Sequence, residues 1–176
     1  MVPGRARVLA RSRVAIPLIV AIAAGRPAAA QAGSDVGVGT LAPIVTVNDL
    51  DGRPVNLGDY IGHEPVLILF WATWCDQCRA LLPTARAAGA RYGDRVKFFG
   101  INVTVGDSPA KVRQYLDEHD PPYAVLYDTE GVSQRAYGVL ATAYVVVVDR
   151  GGRIVYTGYG PGQRLDDALA RATGGQ

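Results

Sequence analysis

The stretch PVLILFWATWCDQCRALLP, residues 65–83, decides the reading of this chain. Its opening, Pro65 to Trp71, is an unbroken apolar run, the pattern of a strand covered on both faces and not of one half-exposed to water. Beyond it Leu81, Ala85, Ala88 and Tyr92 recur on one face of a helix. Where strand gives way to helix stand Cys75 and Cys78, the two cysteines of the 176 residues. A helix start presents unpaired backbone N–H groups and the positive end of the macrodipole, and both stabilise a thiolate. Cys75 is therefore the candidate nucleophile. Cys78, one helical turn on, is placed to resolve a mixed disulfide and is expected to be the more buried of the two. Closing so small a loop removes little unfolded-state entropy, which argues against a purely structural bridge.

Strand and helix patterns alternate on both sides of this centre. Val96–Asn102 (VKFFGIN) and Tyr144–Asp149 (YVVVVD) repeat the apolar-run pattern of a covered strand. Between them Ser108 caps a helix with Pro109 at its first position, and Val112, Tyr115 and Leu116 recur at helical spacing. Upstream, two short strands near residues 44–47 and 54–57 join through Asp51-Gly52 as a hairpin. Downstream come a short strand near 123–126, a short helix near 132–137, a hairpin turn at Asp149–Gly152 (DRGG) and a closing amphipathic helix in RLDDALARAT, residues 164–173. This order predicts the α/β class: one mixed central sheet flanked by helices, with an amino-terminal β-hairpin.

With 49% apolar and 19% charged residues the chain is of globular composition, and its length suits one domain plus a short accessory segment. The net charge of +2 misleads, since five of the 18 basic residues and no acidic one lie in the first 30 positions. The rest of the chain is mildly acidic and lacks a basic stripe, so nucleic acid is excluded as a partner. Arg5, Arg7, Arg11 and Arg13 precede an apolar stretch from Val14 to Gly25, and small residues follow in RPAAAQAGSD. That is the order of a secretory signal, expected to be cut after Ala30, with Ala32 as the alternative site. The 12 uncharged positions between Arg13 and Arg26 fall short of the roughly 20 that span a bilayer, so an uncleaved anchor is the second reading. Residues 1–30 are thus read as signal peptide or signal anchor, 31–40 as a flexible lead and 41–176 as the domain. The expected location is the periplasm, or the inner membrane facing it.

From Leu41 onward the sequence resembles the thioredoxin superfamily, in particular its exported TlpA/ResA branch with redoxin (AhpC/TSA-like) domains. The likeness is carried by DLDGRPVNLGDY before the central strand, FWATWC at its end, Arg79 after the second cysteine and Pro83 five residues beyond it. GINV, YDTEGVSQRAYGV and VDRGGRIVYTGYG follow in the family's order and spacing. The resemblance implies a thioredoxin-like three-layer fold and a thiol-disulfide oxidoreductase with Cys75 and Cys78 as its redox-active pair and no added cofactor. It implies substrate contacts from Trp74, Asp76 and Gln77 beside the sulfurs and from Thr142 and Ala143 in the facing loop. Its partners would be disulfides of exported proteins, such as apocytochrome c or a copper-site protein, and a membrane thiol carrier as electron donor.

Three positions depart from the family pattern. The facing loop usually carries a cis-proline where this chain has Ala143. A cis peptide before alanine costs about 3 kcal/mol, so the Thr142–Ala143 bond is expected to be trans, the loop displaced and the sulfurs more open to metals. On that reading Ala143→Pro restores exchange. The buried aspartate of thioredoxin, six residues before the first cysteine, is replaced by Leu69, and the glutamate of ResA-type proteins by Leu81. Asp76 is then the acid next to the thiols; its charge disfavours a thiolate on Cys75, Arg79 partly compensates, and the centre is tilted toward reducing others.

Two other functions use the same residues. A metal or copper-handling module would need ligands beyond the two sulfurs, and His63 and His119 are the available soft donors. His119 at a helix end and His63 in the loop IGHEP read as solvated side chains instead, and no metal site is expected. A peroxide pocket would need a threonine and a proline where the chain has Ala72 and Ile68.

Overall fold

The computed structural model describes Met1 and residues 36–174 of the chain. Residues 2–30 of the signal and the first half of the flexible lead, residues 31–35, lie outside the described residues. The elements are β1 (Thr46–Asp49), β2 (Pro54–Asn56), β3 (Val66–Trp71), α1 (Asp76–Tyr92), β4 (Lys97–Asn102), α2 (Pro109–His119), β5 (Ala124–Tyr127), α3 (Val132–Ala136), β6 (Tyr144–Val148), β7 (Ile154–Tyr159) and α4 (Leu165–Ala172). They build one mixed sheet in the order β2-β1-β5-β4-β3-β6-β7. The inner strands β3, β4 and β5 are parallel, and β6, β7, β1 and β2 add antiparallel neighbours on either side.

The unbroken apolar runs become the centre of this sheet. All six residues of β3 and all five of β6 are buried, as a strand covered on both faces requires. Phe70 and Trp71 are neighbours on β3 and so point to opposite faces. Phe70 packs against Tyr137 at the end of α3, while Trp71 packs against Tyr115 of α2. The right-handed crossovers β3-α1-β4 and β4-α2-β5 run in the same direction across the sheet, which puts α1 and α2 on one face. Arg86 of α1 accordingly donates to the carbonyl of His119 at the end of α2, and α4 packs beside α1, where Arg91 meets Asp166 at 2.8 Å. Three layers result: α1, α2 and α4 on one side, the sheet, and α3 on the other.

The hairpin differs from the sequence reading by about two residues in its first strand, since Ile44 lies outside β1 and is exposed. The turn sets the register: the Asp49 carboxylate accepts the N–H groups of Asp51 and Arg53 at 2.8 and 2.9 Å and pairs Asn48 with Pro54. β2 stops at Asn56, whose side chain caps a 3₁₀ turn at Leu57–Asp59. The hairpin is no detached elaboration, because β1 pairs with β5 and extends the sheet.

Because β3 and β4 are parallel, their carboxyl ends open side by side, and the loops leaving them form the crevice where α/β sheets place their sites. Beneath that end Trp71 is flanked by Tyr115 and Tyr123, with ring centroids at 5.0 and 5.8 Å. Gly100 on β4 leaves the room this needs: a Cβ there would fall 2.3 Å from a Tyr123 ring carbon and 3.0 Å from the Trp71 indole nitrogen. Gly100→Ala should therefore destabilise the domain by about 1–3 kcal/mol. Urea denaturation measures this as a lowered midpoint at unchanged slope; an unshifted midpoint would mean that the aromatic stack yields freely.

Candidate active site

Cys75 and Cys78 are joined as a disulfide with Cα atoms 5.2 Å apart. Cys75 is the N-cap of α1, with extended backbone, and its Sγ accepts the backbone N–H of Cys78 at 3.0 Å. A sulfur thus does what a serine or aspartate oxygen does at most helix starts: it satisfies an otherwise orphaned donor. The same bond, made to a thiolate, is charge-assisted, and the helix dipole adds to it. Chemically this sulfur is set up to carry negative charge and attack.

The expected difference in burial is not found. Cys75 and Cys78 are each 4% exposed and sit in the same buried cluster as Ala72 and Ala143. The N-cap bond turns the Cys75 sulfur in over the helix start, which covers it as well as its partner. The same observation corrects the expectation that an alanine in the facing loop leaves the sulfurs open.

That loop is anchored. No cis peptide occurs among the described residues, so the Thr142–Ala143 bond is trans, and Ala143 is fully buried with φ at +57°. The carbonyl of Ala143 accepts the N–H of Gly160 at 3.0 Å and the side-chain amide of Gln163 at 3.0 Å. Gln163 also donates to the Gly160 carbonyl at 2.8 Å and accepts from the Tyr156 hydroxyl at 3.2 Å. A left-handed backbone costs a residue with a Cβ about 1–2 kcal/mol, and these bonds hold it there.

The other expected contact residues have different neighbours. Trp74 is half exposed, its indole N–H donating to the Val105 carbonyl at 2.6 Å. Together with Val103, Val105, Leu140 and Thr142 it lines an apolar groove of about 190 Å³. Leu140 is 93% exposed and Val105 66%, so this rim is a rare stretch of apolar surface next to a reactive bond. Gln77 is exposed, and its Oε1 faces Gly160. Asp76 points into solvent and is paired with Arg79, whose guanidinium also donates to the Thr73 carbonyl at 3.1 Å. So exposed a pair is a weak tie, and it answers the Asp76 charge within the first helical turn.

Leu69 and Leu81 are buried where proton-handling carboxylates would stand. Burial pushes the phenols of Tyr123 and Tyr137 well above their ordinary range, so both stay neutral. Among the described residues no group of three His, Cys, Asp or Glu side chains is arranged to hold a metal; the His119 ring stacks on Tyr115 at 4.0 Å. A larger cavity of about 530 Å³ lies at the other end of the sheet, among Glu64, Asp94, Arg95, Asp149, Arg150 and Arg171, away from the sulfurs. Sequence patterns single out neither Val105 and Leu140 at the groove nor Gln163 behind the facing loop. Each belongs to a loop and gains its meaning from a partner distant in the chain.

Residues 38–157 match the family model described as AhpC/TSA, a span running from before β1 into β7 and including the dithiol. The chain belongs to the AhpC/TSA family. The chain is 31% identical to a thioredoxin-like protein, YneN, of Bacillus subtilis over 123 residues, covering 68% of this chain and 71% of that protein. It is 33% identical to a thiol:disulfide interchange protein, a DsbE homolog of Paracoccus denitrificans, over 132 residues, or 73% of this chain and 70% of that one. The thioredoxin domain of a thiol-disulfide oxidoreductase from Bacteroides vulgatus superposes with a TM-score of 0.67 at 22% identity, over 78% of this chain and 98% of that domain. This AhpC/TSA domain therefore has the thioredoxin-like fold.

The conformation of Ala143 reverses the expectation for its replacement by proline. A proline ring holds φ near −65°, whereas this position sits at +57°. Ala143→Pro should break the bonds to Gly160 and Gln163 and lower the melting temperature by several degrees, an effect of about 2–3 kcal/mol. An equally stable variant would show that the loop has a second conformation of similar energy.

Proposed function

We propose that this thiol-disulfide oxidoreductase reduces disulfide bonds of exported proteins, using Cys75 as nucleophile and Cys78 as resolving thiol and no further cofactor. The observation that carries the reading is the N-cap position of Cys75, whose sulfur accepts the Cys78 N–H at 3.0 Å. In the reduced protein the Cys75 thiolate attacks one sulfur of a substrate disulfide. An S–S bond forms between them, and the other substrate sulfur leaves as a thiolate and takes a proton. The Cys78 thiolate then attacks the Cys75 sulfur, which releases the second substrate thiolate and leaves the Cys75–Cys78 disulfide. Two electrons pass to the substrate, and a membrane thiol carrier returns them.

The surface around the disulfide suits a protein substrate. Apolar side chains flanking a substrate cysteine fit the groove of Trp74, Val105 and Leu140. Among the described residues the backbone N–H and C=O of Thr142 take part in no hydrogen bond, which leaves them for an extended substrate strand. Asp76 disfavours a second negative charge next to it, and a less acidic attacking thiol favours giving electrons away. The arginine-led, apolar and small-residue order of residues 1–30 supports export to the periplasm or the outer face of the inner membrane. Cysteine pairs awaiting haem or copper are the substrates the family resemblance suggests.

Reduced wild-type protein should cleave insulin disulfides with dithiothreitol as donor. Cys75→Ser should abolish this, and Cys78→Ala should accumulate mixed disulfides with its substrates. A reductive role further requires a midpoint potential at or below about −200 mV in glutathione buffers. A midpoint above about −150 mV would make the protein an oxidant, and activity surviving in Cys75→Ser would remove Cys75 from the reaction.

A further inference from the structure

We propose that Asp107 is a positioning residue of the dithiol centre: its buried carboxylate clasps Thr73 and thereby fixes the turn that presents Trp74 and Cys75. Asp107 lies in the loop after β4, 34 positions along the chain from Thr73. One carboxylate oxygen accepts the Thr73 backbone N–H at 2.9 Å and the Asn102 side-chain amide at 2.7 Å. The other accepts the Thr73 hydroxyl. Both hydrogen-bond donors of a single residue are thus held by a single carboxylate, which restrains its backbone and its χ1 together.

This carboxylate has none of its side-chain surface exposed, and the cation facing it, Lys111, stands 3.8 Å away and is itself 55% exposed. Burying a charge so weakly paired is unfavourable unless hydrogen bonds satisfy it, and here three do. The surrounding elements hold Asp107 in turn. Tyr127 of β5 donates to its carbonyl at 2.9 Å, and the fully buried Asn102 of β4 accepts the Thr104 N–H at 2.8 Å.

What the clasp holds is the turn from Ala72 to Cys75. The Thr73 carbonyl accepts from Arg79, the Cys75 N–H donates to the Ala72 carbonyl at 3.2 Å, and the Trp74 indole is tied to Val105, two residues before Asp107. The turn is thereby fixed from the helix side by Arg79 and from the loop side by Asp107. The charged groups around Cys75 are then Asp76 and Arg79 on α1, Asp107 on the loop and Lys111 on α2. Loss of the Thr73 hydroxyl frees the turn that keeps the Cys75 sulfur on the Cys78 N–H. A sulfur that leaves this N–H is a less stable thiolate.

The decisive variants are Thr73→Val, which keeps the shape without the hydroxyl, and Thr73→Ser, which keeps both donors. In the reduced protein, the pH profile of Cys75 alkylation should move up by about half a unit or more in Thr73→Val and stay in place in Thr73→Ser. Insulin reduction, which rests on the proposed function, should slow about tenfold in Thr73→Val. Asp107→Asn approaches the clasp from the other side and should slow exchange to a similar degree, with the double variant no slower than the slower single. Circular dichroism confirms that each variant is folded; should Thr73→Val not fold, Asp107→Asn and Thr73→Ser decide through exchange. Wild-type alkylation and exchange in a folded Thr73→Val, or full additivity in the double variant, would reduce Asp107 to a structural residue and overturn the proposal. A wild-type protein that reduces no insulin would instead count against the proposed function, and the alkylation profile would still judge the clasp.

Discussion

A single hydrogen bond, from the Cys78 backbone N–H to the Cys75 sulfur, joins the fold of this protein to its chemistry. It exists because a covered parallel strand ends at Trp71 and a helix begins at Asp76, with four residues to turn the chain between them. The sheet supplies the rigid strand, α1 supplies the free N–H groups and the dipole, and the sulfur is the atom that meets them. Each further feature of the site acts on this point. Arg79 and Asp107 hold the turn, Gln163 holds the loop that faces it, and the Trp71 stack packs beneath it.

The chain secures these restraints at some cost. Asp107 is a carboxylate without exposed side-chain surface, Ala143 has a left-handed backbone, and the Trp71 indole nitrogen is buried with no hydrogen-bond partner among the described residues. All three lie at the carboxyl end of the sheet, around the disulfide. Departures from local preference that gather at one end of an otherwise regular fold are the usual mark of a site whose geometry is maintained against conformational cost. The hydrophobic core offsets them: β3 and β6 are buried throughout and Leu81, Leu165 and Leu169 close the helical layer over them.

Local signals in the sequence found the central elements. Apolar runs gave β3, β4 and β6 within a residue, Ser108 and Pro109 gave the start of α2, and the cysteines at the strand-to-helix boundary are the pair that the structure joins as a disulfide. Features set by distant partners were out of reach. Asp107 carries no local signal, since its partner Thr73 lies 34 positions away. The conformation of Ala143 depends on Gly160 and Gln163, so comparison with a proline at that position forecast the trans bond and missed the left-handed backbone. The burial of Cys75 has a related cause: helix position alone does not say that its sulfur turns inward onto the Cys78 N–H.

The central claim is that the helix start, and not exposure, distinguishes two sulfurs that are equally buried in the disulfide. Limiting iodoacetamide added to the fully reduced protein near neutral pH, followed by peptide mass spectrometry, tests it most directly, because the label goes to whichever sulfur is the more available thiolate. Cys75 should take the label first, in several-fold excess over Cys78. Equal labelling of the two, or preferential labelling of Cys78, would contradict it.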